Sequence, residues 1–175
     1  MIFEEMNRAA AFHGHSCPGL AIGVRACCEA RARLDLSFSA DEELVCVVEH
    51  NACGVDAVQA LLGCSLGKGN LVVRPTGKMA FTFFVRGGGA LRLYFKGEAG
   101  ELAREEWQKR ILTAPFDELF CAAPPSFPCP ERARRFSNVT CSVCGESAPE
   151  HKIRLQEGKF VCLDCFRPYE RGFDL

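Results

Sequence analysis

The chain carries Cys141-x-x-Cys144, then 17 intervening residues, then Cys162-x-x-Cys165. Each C-x-x-C turn presents two sulfurs to one ion, and four thiolates at this spacing meet the tetrahedral demand of a closed structural Zn²⁺ site. Gly145, directly after the first pair, suits a tight knuckle, and "KIRLQEGKFVC" reads as a hairpin. "LDCFRPYE" is a candidate helix start, so the expected module is a zinc ribbon or a treble clef. Rubredoxin-like iron uses the same four thiolates, and ligand softness alone does not separate it from zinc.

A piece of about 45 residues needs such a staple, because it cannot bury a large core unaided. It is set off by "AAPPSFPCP", residues 122 to 130, whose four prolines break any regular element. The expected organisation is therefore a domain over 1–121, a proline-rich linker over 122–138 and the four-cysteine module over 139–175. Arg132, Arg134, Arg135, Lys152, Arg154, Lys159, Arg167 and Arg171 could meet an anionic partner, but acids are interspersed among them. Nucleic acid needs a concentrated basic face, so scaffolding or protein contact is the expected use of the module and nucleic acid the lesser one.

The net charge of −1 is evenly spread: 13 basic against 15 acidic residues in 1–128, and 8 against 7 in 129–175. Hydrophobic residues make up 48% of the chain and phenylalanine is abundant, which gives the first domain a real core. No apolar run of about 18 residues occurs, so no membrane span is expected. The start "MIFEEMNRAAAF" places acids where a signal peptide needs a basic end, which points to a cytoplasmic protein with reduced thiols. Cys27, Cys28, Cys46, Cys64 and Cys121 lie in apolar surroundings and read as buried small hydrophobes.

Along the first domain, residues 2 to 12 have helix-forming composition, and a second helix is expected from Pro18 to about Leu34. Its Gly19 and Gly23, with several alanines, make a slim rod that another backbone can approach closely. "ELVCVVE" reads as a buried strand, followed by a helix that starts near Gly54 and stops at Gly63. "NLVVRPT", "MAFTFFVR" and "ALRLYFK" are strand candidates, the last two joined through Gly87-Gly88-Gly89 as a hairpin. A charged helix is expected over Glu98–Thr113 and a short one after Pro115. The order of elements predicts an α+β fold with a largely antiparallel sheet and packed helices.

The chemistry of this domain gathers in two places. In "FHGHSCPG", His13, His15 and Cys17 precede a helix; in "EHNACGVDAV", His50 and Cys53 precede another, with Asp56 in its first turn. If 13–17 is extended, His13, His15 and Cys17 point to one side; if it is helical, His13 and Cys17 share a face. Cys17 just before Pro18 sits near a helix N-cap, where free N–H groups favour a thiolate. The two half-sites converge if both helices start at the same end of the domain, and mixed imidazole and thiolate ligands with an open position suit a reactive zinc centre. Asp56 is a weak candidate for proton transfer. A metal-free Cys-His nucleophile pair is the lesser reading, since no third, orienting residue is identifiable from the sequence. "GCSLGKGN" is one residue short of a phosphate loop and lacks its Ser or Thr, so a helix end followed by a turn is expected there.

Together "FHGHSCPGLAIGVRA", "HNACGVDAVQALLGCSLGKGNL" and "PTGKMAFTF" resemble FmdE, a family named for its link to formylmethanofuran dehydrogenase, over about residues 10–95. The cysteine pairs resemble a zinc-binding extension found in some members. The resemblance implies an α+β core, a homodimer, and a metal site drawn from His13, His15, Cys17, Cys53 and possibly Asp56. It also implies oxidoreductase partner subunits of the molybdopterin or tungstopterin type. On this basis the expected function is a zinc-binding accessory or subunit-like protein; the alternatives are a stand-alone metal-dependent enzyme and a zinc-module regulator binding nucleic acid or protein.

Overall fold

The computed structural model describes residues 1–169; residues 170–175 lie outside the description. The chain divides into two compact units, Met1–Ala133 and Arg134–Leu175. In the first, the order is α1 (Ile2–His13), α2 (Pro18–Leu34), β1 (Leu44–Val48), α3 (Gly54–Leu62), β2 (Leu71–Val73), β3 (Ala80–Val85), β4 (Ala90–Phe95), α4 (Arg104–Thr113), α5 (Phe116–Leu119) and β5 (Phe120–Ala123).

The five strands form one sheet in the order β2-β1-β3-β4-β5. Only β1 and β2 run parallel, joined by α3 as a crossover; the other pairs are antiparallel, so the α+β expectation holds. Leu44, Cys46 and Val48 of β1, Phe81 and Phe83 of β3, and Leu91, Leu93 and Phe95 of β4 join the core that the helices share. Burying each such phenylalanine stabilises the unit by roughly 2–3 kcal/mol.

Every residue of β1 is buried, because the opposite sheet face is covered too. Val45, Val47 and Phe84 pack there with Val72, Phe127 and Cys129. Phe127 comes from the irregular stretch 124–133, which lies along the sheet as a strap. The Arg74 guanidinium stands 4.8 Å over the Phe127 ring, and Arg86 donates to the Pro130 carbonyl at 2.9 Å. The Ala133 N–H is shared by both carboxylate oxygens of Glu42 at 3.2 Å. Residues 122–133 of the expected linker thus belong with the first unit.

Three local features depart from the sequence reading. The charged helix starts at Arg104 rather than Glu98: Gly100 has φ 57°, and Glu106 reaches back to accept from the Ala103 N–H at 3.2 Å, which fixes the start. Phe120–Ala123 forms an unforeseen edge strand, β5. Its Cys121 is exposed rather than buried, since alternation along the strand turns Phe120 into the core and Cys121 outward.

The second unit consists of two hairpins, β6 (Asn138–Thr140) with β7 (Ser147–Pro149), and β8 (Ile153–Gln156) with β9 (Lys159–Cys162), linked by a 3₁₀ turn over Glu150–Lys152. Glu157 and Gly158, φ 51° and 74°, close the second hairpin in the doubly left-handed turn that matches strand twist. Among the described residues after Cys165 there is no helix; the knuckle turn ends at Phe166, and Pro168 has no N–H to continue one.

Candidate metal centres

In the second unit the Cys141, Cys144, Cys162 and Cys165 sulfurs all lie within 4.8 Å of one another. The knuckles explain this. The N–H of Gly145, in the left-handed region at φ 77°, turns back to the Cys141 carbonyl at 3.0 Å, and Cys165 N–H reaches the Cys162 carbonyl at 3.1 Å. The Cys141 sulfur accepts from the N–H groups of Val143 and Cys162, both at 3.4 Å. N–H groups of Cys144, Cys162 and Val143 bring the Cys141 pKa down to about 6, while hydrogen bonding to Cys162 pushes Cys165 up to about 12. Four thiols this close cannot all ionise without a cation among them. The donor set fits Zn²⁺.

The first unit brings a second cluster together. α1 ends at His13, Gly14 reverses the chain with φ 92°, and Cys17 is extended as the N-cap of α2. The backbone is therefore neither wholly extended nor helical, and this turn places donor atoms of His13, His15 and Cys17 within 4.8 Å of one another. The two imidazole centroids are 4.5 Å apart. The Cys17 sulfur accepts from the Leu20 N–H at 3.3 Å, which caps the first turn of α2 and fixes the direction of the side chain.

Cys53, at the start of α3, lies outside that close group, but its thiol faces that of Cys17; burial together with this neighbour holds its pKa above the ordinary value. Gly19 lies beside Cys53: a β-carbon there would sit in ordinary van der Waals contact, 3.4 Å from the Cys53 Cβ and 3.7 Å from its sulfur. Asp56 bonds His13 instead of standing free. Its Oδ2 lies 2.7 Å from His13 Nδ1, and its Oδ1 accepts from Gln59 Nε2 at 3.1 Å. Gln59 went unrecognised in the sequence, although it sits three residues beyond Asp56 on α3, where a side-chain pair is expected.

His50 is buried at the end of β1. Its Nδ1 accepts the Ala52 N–H at 3.1 Å and its ring stands edge-on to Phe81, so it belongs to neither close group. Among the described residues, three buried side-chain polar atoms have no hydrogen-bond partner: Nε2 of His13, Nε2 of His50 and Oγ1 of Thr82. An unmatched imidazole nitrogen beside a second imidazole and a thiol is what a ligand set looks like before its ion is counted. A cavity of about 450 Å³ adjoins this cluster, with His13, Cys53, Asp56 and Gln59 on its polar side and Leu66 and Val73 among its apolar walls.

With Asp56 on His13, the orienting residue for a Cys-His nucleophile pair is also present. What separates the two chemistries is the surplus: a nucleophile has no use for His15 or for a second thiol facing Cys17, whereas a soft-to-borderline cation uses both.

Residues 12–121 match the family described as "FmdE, Molybdenum formylmethanofuran dehydrogenase operon", and residues 134–171 match the "Prokaryotic dksA/traR C4-type zinc finger". Fold and motifs thus define an α+β core carrying a cluster of histidines and cysteines, followed by a four-cysteine zinc finger. The chain belongs to the FmdE family. The crystal structure of a tungsten formylmethanofuran dehydrogenase FmdE-like protein from Syntrophus aciditrophicus shares the fold, with a TM-score of 0.71 over 94% of this chain and 91% of that one, at 22% identity. An Archaeoglobus fulgidus protein named "Probable S-adenosyl-L-methionine-binding protein" is 32% identical over an alignment of 214 residues that takes in 95% of this chain; the chain spans 56% of that protein's length. No helix among the described residues is long and apolar enough to cross a membrane.

Proposed function

We propose that this chain is a zinc-binding accessory protein of formylmethanofuran dehydrogenase-like oxidoreductases, acting as a homodimer, with one exchangeable and one structural metal site. His13, His15 and Cys17, joined by Cys53, would hold the exchangeable ion; Cys141, Cys144, Cys162 and Cys165 would hold the structural one. When bound, zinc at the first centre supplies Lewis acidity and a position open to an outside ligand. The chain's own residues keep the site ready: Leu20 N–H holds the Cys17 sulfur, and Asp56 holds His13. The observation that carries the reading is that His13, whose Nε2 is buried and unpartnered, offers a ring nitrogen within 4.8 Å of donor atoms of His15 and Cys17. The family description, with its dehydrogenase operon, supports the link to such an enzyme.

Elemental analysis of the native protein tests it. About two metals per chain are expected. Cys17→Ser should remove one and leave the fold intact; unchanged metal content in that variant would sink the first centre.

A stand-alone metal-dependent enzyme is the second reading, and the cavity of about 450 Å³ favours it. S-adenosyl-L-methionine, in the name of the archaeal relative, is the first small molecule to try there. Calorimetric titration into zinc-loaded protein separates the readings: saturable binding supports the enzyme, and its absence favours the accessory role. The regulator alternative is less favoured because acids such as Glu146, Glu150, Glu157 and Asp164 interrupt the basic residues of the second unit.

A further inference from the structure

We infer that Gln59 and Asp56 form a positioning relay that fixes the ring of His13, making Nε2 the ligand atom and His13 the pre-set member of the ligand pair. The inference rests on the reading that the first centre holds a metal. It assigns Asp56 neither to the ion nor to proton transfer.

Three observations carry it. The 2.7 Å contact of Asp56 Oδ2 is made to His13 Nδ1, so the carboxylate engages that nitrogen and holds its proton there, leaving Nε2 as the ring's other donor atom. A neutral imidazole with its proton on Nδ1 presents a bare lone pair at Nε2. That Nε2 is buried and has no protein partner. Asp56 is held in turn: Gln59, one helical turn along α3, donates to the other carboxylate oxygen at 3.1 Å. With Oδ1 and Oδ2 both engaged and both partners on packed helices, the ring is fixed in tautomer and direction before any ion arrives.

His15 differs. It follows the Gly14 reversal, is exposed, and stacks obliquely on His13 at 4.5 Å between centroids. The two histidines that the sequence could not rank are thus unequal. His13 is preorganised, and His15 must give up side-chain freedom to join. A carboxylate behind a ligating imidazole raises ligand basicity and fixes its orientation, and removing such a partner typically weakens metal binding by about 10- to 100-fold.

The test uses the full chain with its four-cysteine module already filled, titrating the remaining site with Co²⁺ in competition with a chelator. Asp56→Ala should weaken Co²⁺ binding by about 10- to 100-fold. Asp56→Asn, which keeps an acceptor for the Nδ1 proton but not the charge, should fall between it and the native protein. Gln59→Ala, which leaves the carboxylate in place and loosens only its support, should cost a few-fold by the same logic.

In all three variants the sulfur-to-cobalt charge-transfer band and the tetrahedral visible spectrum should keep their native shape at saturation. A positioning residue changes affinity without changing the ligand set. Native affinity in both Asp56→Ala and Gln59→Ala would overturn the relay, as would an altered saturated spectrum in Asp56→Asn, which would make Asp56 a ligand. Native protein that takes up no second ion refutes the metal reading itself, a separate failure visible before any variant is made. Should Asp56→Ala fold poorly, Asp56→Asn and Gln59→Ala still decide the matter.

Discussion

Gly23 of α2 and Gly54 of α3 meet backbone to backbone: a β-carbon on Gly23 would collide with the Gly54 carbonyl oxygen and lie 2.6 Å from its Cα. This contact sets how close the two helix starts come, and Cys17 and Cys53 stand at those starts. Gly23→Ala cannot be absorbed by a side-chain rotation, because the obstacle is main chain. It should destabilise the first unit by about 2–3 kcal/mol and separate the two thiols. Urea unfolding gives the first quantity; loss of the first-centre metal reports the second.

Arg25 of α2 closes the far end of α4. Its guanidinium donates to the carbonyls of Leu112 and Ala114, each at 2.7 Å, and of Ile111 at 3.2 Å, all at or near the end of a helix whose last carbonyls have no internal partner. Arg25→Met preserves much of the packing stem and removes the donors. A loss of about 1–3 kcal/mol in chemical denaturation is expected; a change within the error of the measurement would show that water replaces the arginine at no cost.

His50 gives the first unit an acid sensitivity of known sign. Burial lowers its pKa, with Glu49 opposing the shift in part. The unfolded chain therefore binds the proton more readily than the folded one. The contribution to stability is complete above the ordinary imidazole value of about 6.5 and declines as pH falls from there toward the lowered folded value. His50→Asn retains an acceptor for the Ala52 N–H and removes the titration. Stability measured between about pH 5 and 7 should fall for the native protein and be flatter for the variant.

Metal removal should act on the two units unequally. The second unit has few buried apolar residues, Cys141 and Val161 among them, whereas the first has an extended core. Cys144→Ser, or a strong chelator, should unfold the β6–β9 hairpins and leave the first unit's transition in place. Amide exchange resolved by segment is the direct measurement. Equal protection of residues 138–162 with and without metal would contradict it.

Much of this was legible because the signals were local. Pro18 after Cys17, Gly63 after α3, and the Gly87-Gly88-Gly89 corner each announce one backbone event with one residue. The four-cysteine module is likewise a spacing rule. What escaped depends on contacts between distant residues. β5 is four residues long and immediately followed by two prolines, and only pairing with β4 makes it a strand. The same holds at the first centre: the candidate ligands could be named, but the bond from Asp56 to His13 spans 43 positions, and nothing in "CGVDAVQ" announces that its carboxylate turns toward α1. Gly23 was legible as a slim point in a helix, while its partner at Gly54 was not.

The strap over the sheet bears on where this chain can be cut. A fragment ending at residue 121, where the proline run suggests a natural break, would lose Phe127 and Cys129 from above Val45, Val47 and Phe84, and with them the Ala133 anchor on Glu42. It would present a bare apolar sheet face to solvent and would aggregate. A fragment ending at 133 carries its own cover, so dissection of the two units, by protease or by cloning, should be made after Ala133 and before the first hairpin at Asn138.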